Sequence, residues 1–411
     1  IGLDGATFKG RNVSVDALAS AVAEKTVLTV DYAIALGLSL PQATIYITGG
    51  STITTTGDLS VTTNADRDLS IIATQNLIGT STTTEDKNVT IAGSYSTLLS
   101  SATLSADSTL NVGSDLAVDV NGTREHNTQA NAAAYGDGTL GVALNVAIHD
   151  AKLEALIDGT VVTGGNMTVD ADLQTLKNDF NATSTVGTGQ LGGELQASGP
   201  AFPLRFFTAA FQKLFKTGGN AVAPIQPGTV SPSKLDVSAA LNVGVGRNDV
   251  DVRIGPGASV TVGGDLKLRG HAEEFPETSA ISFLNSSDAL LENVPNGSYS
   301  QRETGIAGAV TGAYFSNDVD VYIGSDATVI VTGDMSITSE SSIPYDPQFV
   351  MDWRSDEFEN PLRVTTYTDK FNYNLGIQNG FFSSWAEAIA SAQETAVGVS
   401  LNILLGDTHT Y

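Results

Sequence analysis

A unit of three short runs with apolar alternation constrains this chain more than any other feature. It is clearest at Asp249–Leu268, DVDVRIGPGASVTVGGDLKL. Val250, Val252 and Ile254 alternate with Asp249, Asp251 and Arg253. Beyond Gly-Pro-Gly, Val260 and Val262 alternate with Ser259 and Thr261. Beyond Gly-Gly, Leu266 and Leu268 alternate with Asp265 and Lys267. A period of two describes strands with one face in a core and the other in solvent. Three strands this short cannot enclose a core by themselves, so the unit reads as one rung of a stack.

The unit recurs. Asp318–Ile337 carries Val319, Val321 and Ile323, then Val329 and Val331, then Met335 and Ile337. Leu153–Val169 and Ala43–Val61 repeat it, and a partial copy ends at Val118. A common signature is Asp or Asn, apolar, any residue, apolar. It falls at Asp58, Asp68, Asn88, Asp115, Asn166, Asp265 and Asp334. Asp and Asn side chains bond nearby backbone, so each is expected to close a turn. The spacing from Asp68 to Asn88 to Asp115 suggests a coil of about 20 to 27 residues by repeat logic.

Charge and composition exclude several classes. Twenty basic residues stand against 45 acidic ones, a net charge of −25. Phosphate neutralisation needs a basic patch, so nucleic acid is not an expected partner. An anionic membrane is disfavoured for the same reason. The chain has no cysteine, hence no disulfide framework and no thiolate metal site. It contains no apolar run long enough to span a bilayer. The segment Ser400–Ile403 repeats the ALNV of Ala143–Val146 and Ala240–Val243, which reads as the start of a further coil. The expectation is a fragment of a longer array, open at both ends.

The organisation expected along the chain is a lead-in over 1–27, coils over 28–185, an insertion over 186–234, coils over 235–340, an aromatic-rich insertion over 341–395, and a new coil over 396–411. Val15–Val27 reads as a short helix or an irregular lead-in. Residues 121–140 and Glu273–Gly305 read as excursions from the stack, and Ser384–Gln393 as helical. Within the first insertion, Ala201–Lys216 changes period. Leu204, Phe207, Phe211, Leu214 and Phe215 fall on one helical face, with Arg205, Lys213 and Lys216 beside them. Covering a side of the stack is the plainer role for such a helix; binding a membrane surface or partner is the alternative. The second insertion holds 10 of the 28 aromatics, including Trp353 and Trp385. A small core of its own is the expectation, with a sugar-binding platform as the rival.

Chemistry is sparse. His126, His149, His271 and His409 have no metal-ligand spacing and read as surface histidines. The acidic group Asp346, Asp352, Asp356, Glu357 and Glu359 could pair carboxylates for sugar hydrolysis but reads as a solvated loop. The Asp249/Asp251 and Asp318/Asp320 pairs point outward and could bind calcium weakly, although neither is an EF-hand or nonapeptide calcium motif. No catalytic, cofactor-binding or metal residue is assigned, and no enzyme activity is expected.

The units ending VTVGGDLKLRGHAE and VIVTGDMSITSES, with the lead-in ALNVGV, resemble the filamentous-haemagglutinin and leukotoxin-type filamentous adhesins, which are large bacterial surface proteins. The resemblance covers roughly 28–185, 235–340 and 393–411. It implies a right-handed parallel β-helix, secretion, and a structural role at the cell surface. Partners would be copies of the chain or the rest of a longer one, surface glycans, or cell-surface receptors. The fold expected is therefore all-β, a β-solenoid with short helical and loop insertions. Val250, Val252 and Ile254 should lie on one sheet, Val260 and Val262 on a second, and Leu266 and Leu268 on a third. Antiparallel sandwich domains are the rival.

Overall fold

The computed structural model describes residues 1–29, 32–75, 87–135, 140–187, 235–274, 276–285, 304–342, 384–391 and 395–411. Each coil runs through three sheets in the order A, B, C. The first coil is β1 (Gly2–Asp4), β2 (Thr7–Gly10) and β3 (Val13–Thr29). The second is β4 (Tyr32–Ser39) with β5 (Gln42–Thr48), then β6 (Thr52–Thr55) and β7 (Leu59–Gln75). The third is β8 (Lys87–Leu104), β9 (Thr109–Val112) and β10 (Leu116–Tyr135). The fourth is β11 (Leu140–Ile157), β12 (Thr160–Thr163) and β13 (Met167–Gly187). The fifth is β14 (Leu235–Ile254), β15 (Ser259–Val262) and β16 (Leu266–Glu273) with β17 (Pro276–Asn285). The sixth is β18 (Thr304–Ile323), β19 (Thr328–Val331) and β20 (Met335–Ser342) with β21 (Ser384–Ser391). β22 (Thr395–Thr410) begins a seventh coil as the eighth strand of sheet A.

Every pairing among these strands is parallel and joins equivalent residues of successive coils; for example, Leu144 pairs with Leu241, Leu241 with Val310, and Val310 with Leu401. The fold is a parallel β-helix, and antiparallel sandwiches are ruled out. The three runs of the founding unit lie on three sheets as expected, and their seven apolar side chains are essentially inaccessible to solvent.

Two cores result. Where all three sheets face one another, Val, Ile and Leu fill a wide interior, among them Ile45, Leu110, Val118, Leu153, Val252 and Leu268. Sheets A and C extend beyond the short sheet B and face each other directly. There the interior is alanine, including Ala35, Ala92, Ala130, Ala143, Ala182 and Ala309. Small side chains suit a gap bounded by only two sheets, since interiors are filled to close-packed density.

The turn signature works between coils rather than within them. The side-chain oxygen of Asn12 accepts from the backbone N–H of Asp58, Asp58 from Asp115, Asp115 from Asn166, Asn166 from Asp265, and Asp265 from Asp334, at 2.7–3.3 Å. Successive members are 46 to 99 residues apart, so a coil is longer than the expected 20 to 27. Asp68 and Asn88 lie within β7 and β8 and have no part in this ladder. The adjacent glycines are required by close approach: a Cβ on Gly164 or Gly263 would sit 2.4 Å from the carbonyl oxygen of the coil before.

Four local expectations are corrected. Residues 1–27 are the first coil rather than a lead-in, and Val15–Val27 is strand, with β3 paired residue for residue to β7. Residues 121–135 stay in the stack as part of β10. Pro276–Asn285 rejoins it as β17 beside β13. Ser384–Ser391 is strand β21, not helix. In each case the parallel neighbour supplies backbone hydrogen bonds that a polar or alanine-rich sequence does not announce, and tertiary pairing overrides intrinsic preference. The Ala201–Lys216 segment, most of the aromatic-rich insertion with Trp353, and the acidic group from Asp346 to Glu359 lie outside the described residues.

Candidate functional site

The alternation that buries one face of each strand leaves an outer face, and the outer face of sheet A is apolar. One outward row across the coils is Ile34, Ile91, Leu144, Leu241, Val310 and Leu401. A parallel row is Leu38, Tyr95, Ile148, Val245, Tyr314 and Leu405. Between them run Leu36, Gly93, Val146, Val243, Gly312 and Ile403. These side chains are exposed or half-buried; Leu36 is 70% exposed. A fourth row of Tyr32, Val89, Val142, Ala239, Gly308 and Val399 adjoins them, and four rows about 6.8 Å apart on six strands about 4.8 Å apart cover on the order of 700–800 Å². That exceeds the largest apolar patch usual on a monomer and approaches one side of a standard protein interface.

The rows turn charged further along the same strands. Lys152, Asp249, Asp318 and His409 stand in register, as do Glu154, Asp251 and Asp320. Stacked carboxylates repel, and partial burial adds to the cost of their charge. Burial pushes the Asp251 carboxyl up to about 6, against the lowering pull of Arg253 and with help from Glu154 and Asp249. Asp249 is raised as well, first by burial. Ligand atoms of Asp318, Asp320 and His409 lie within 4.8 Å of one another, and His409 Nδ1 is 3.1 Å from Asp318. The outward orientation expected of both Asp pairs is therefore correct, and His409 is a neighbour that the sequence did not join to them.

The outer face of sheet C differs. Its rows are Asn64, Asn121, Asp172, His271 and Glu340, or Thr62, Asp119, Asp170, Arg269 and Thr338. They satisfy one another across strands. Asn121 donates to Asn64 at 3.0 Å, His271 Nδ1 meets Asp172 at 2.6 Å, and Arg269 pairs with Asp170 at 3.4 Å.

A third cluster lies inside, where the wide core gives way to the alanine core. Arg67 and Arg124 are in register on β7 and β10, both directed inward and fully buried. Arg124 is satisfied: Nε donates to Thr175 at 2.7 Å, Nη1 to Asn248 at 2.6 Å, and Nη2 to the Glu274 carboxylate. Glu274 also accepts from Asn178 and Asn248. His126 and His149 complete the cluster, their rings 5.4 Å apart and packed against Phe180. Both are held well below the usual histidine range, first by burial and then by neighbouring arginines. The expectation that His126 and His149 lie on the surface is thus overturned. The phase of the alternation carried the signal. Arg67 falls in step with Ala65 and Leu69, Arg124 and His126 with Val120 and Ala130, and His149 with Ala147 and Ala151.

The chain matches no family model, no curated protein and no solved structure.

Proposed function

We propose that this chain is a structural segment of a secreted bacterial surface fibre or filamentous adhesin, without catalysis of its own, that serves attachment or matrix and filament formation. The observation carrying this reading is the coil-to-coil continuity of the stack. Asp/Asn side chains, backbone and core repeat from one coil to the next, which is how a quasi-one-dimensional array gains length. Partners on this reading are the rest of a longer chain or further copies, with surface glycans or cell-surface receptors bound along the flanks. The high acidic charge keeps neighbouring rods apart at low salt except where the outer face is uncharged. Displaying the chain on a non-adherent bacterium should raise attachment or cell–cell aggregation. No gain in either, or release of new ends from a panel of acidic and neutral polysaccharides by the purified chain, would sink the proposal.

A further inference from the structure

The interior cluster contains a cation with no hydrogen-bonded counter-charge, Glu274 and Asp150 acting on it only from a distance. Arg67 is 2% exposed, and its Nε, Nη1 and Nη2 have no hydrogen-bond partner. Its neighbour Arg124 occupies Glu274, which also serves Asn178 and Asn248. Asp150, the other carboxylate close enough to act on Arg67, alternates on the outer phase of β11.

Other unpartnered groups lie on the same side of the cluster. Ser39 and Ser96 are in register on β4 and β8, and Ser96 is in register with His149 on β11. All three face inward and are nearly or fully buried. Ser39 Oγ, Ser96 Oγ, His149 Nδ1 and His126 Nδ1 have no partner either. Stepping from His149 to Ser96 moves one strand toward the first coil, the same step that leads from Arg124 to Arg67. The unpartnered groups therefore occupy adjoining positions on two facing sheets. They supply a guanidinium with five N–H donors, two hydroxyls and two imidazole nitrogens.

Buried polar groups in native proteins are satisfied by protein, water or ions. A buried guanidinium without counter-charge is costly, and water supplies hydrogen bonds but no charge. Burial, with the Arg124 charge beside it, already draws Arg67 down to about 9, the direction expected of an uncompensated cation. We propose that Arg67, Ser39, Ser96, His126 and His149 hold a small inorganic anion of chloride size, sealed inside the stack as the coils close. This site is independent of the role proposed for the outer surface.

The test uses the full chain, unfolded and then refolded in bromide so that a sealed site can load. Anomalous diffraction should show a bromide peak beside the Arg67 guanidinium. Water or empty density there would overturn the proposal. In solution at matched ionic strength, each tenfold rise in chloride against gluconate should raise the folded-to-unfolded ratio about tenfold once the site is near saturation. Arg67→Met should remove that dependence. An unfolding midpoint that is equal in the two salts would refute the site, and if Arg67→Met does not fold, the bromide peak decides alone.

Discussion

The outer faces of sheets A and C are made by the same alternation, on strands of similar length, in register through the same coils. Sheet A presents Ile, Leu, Val and Tyr in ordered rows, whereas sheet C presents Asn, Asp, Thr and paired charges. Sheet C closes its polar rows with its own cross-strand bonds. The apolar rows of sheet A have no such internal satisfaction and gain only by being covered. Period two therefore says which side is inside; the residue types on the other phase decide what the outside is for.

The largest effect should come from the phase the two sheets share. Val252→Asp in sheet A and Leu268→Asp in sheet C each put a charge into the dry interior. Each should cost several kcal/mol in thermal or denaturant unfolding. Asp251→Ser or Lys267→Ser should cost little. Equal damage from the inward and outward sets would break the inside/outside assignment.

Acid should separate interior from exterior next. His126 and His149 are neutral when folded, with folded pKa values depressed below the unfolded value near 6.5. The unfolded chain then binds more protons below that pH. Stability should fall as the pH drops from about 6.5, by about 1.4 kcal/mol per unit for each histidine down to its folded pKa. Around these rings stand Arg67, Arg124, Ser94, Thr128, Asn178 and Phe180. On sheet A the sign is opposite. Asp251 is raised to about 6, so the folded state holds the extra proton between roughly 4 and 6, and stability from this group is lost as pH rises through that window. His149→Gln should flatten the acid-side loss, while Asp251→Asn should leave it and improve stability slightly at neutral pH. If unfolding midpoints between pH 4 and 6.5 respond alike to both substitutions, the proposed separation fails.

A smaller effect tests the two flanks directly. Leu144→Glu places a charge in the apolar rows of sheet A, and Ala117→Glu places one outward on sheet C. Both should stay within about 0.5 kcal/mol of the parent in stability. Only Leu144→Glu should lower binding of an apolar fluorescent dye and alter self-association in sedimentation. If both substitutions behave alike in these two assays, the apolar flank has no special role.

The change least able to tell the two flanks apart is in the turn ladder. Asn166→Ala removes the acceptor for the Asp265 N–H and should cost about 1 kcal/mol, with no difference between flanks. A cost beyond this would mean that the ladder sets the register as well as satisfying the backbone.

The founding unit was legible because three alternating runs, repeated with aligned turns, can bury their apolar face only as stacked coils. That logic gave the three sheets and placed Leu144, Leu241 and Leu401 in one row. It failed at 1–27, 121–135 and 384–391, where the residues are alanine-rich or polar and the parallel neighbour alone makes them strand. It also failed for coil length. Asp58 and Asp68 share a signature, but only Asp58 meets a backbone N–H of the next coil.

What the sequence determined by itself was the inward phase of the repeated units, because a strand has only two faces; that Arg67, Arg124, His126 and His149 share that inward phase came from the parallel register of their strands. Which of these groups find partners was decided by tertiary structure. Glu274 reaches Arg124 across 150 residues and leaves Arg67 without a hydrogen-bonded carboxylate. The same holds outside. Leu36 and Asn121 are each one outward residue in the sequence; stacking turns the first into a continuous apolar flank and the second into a polar ladder. Parallel register multiplies each outward residue by the number of coils, and no single coil carries that information.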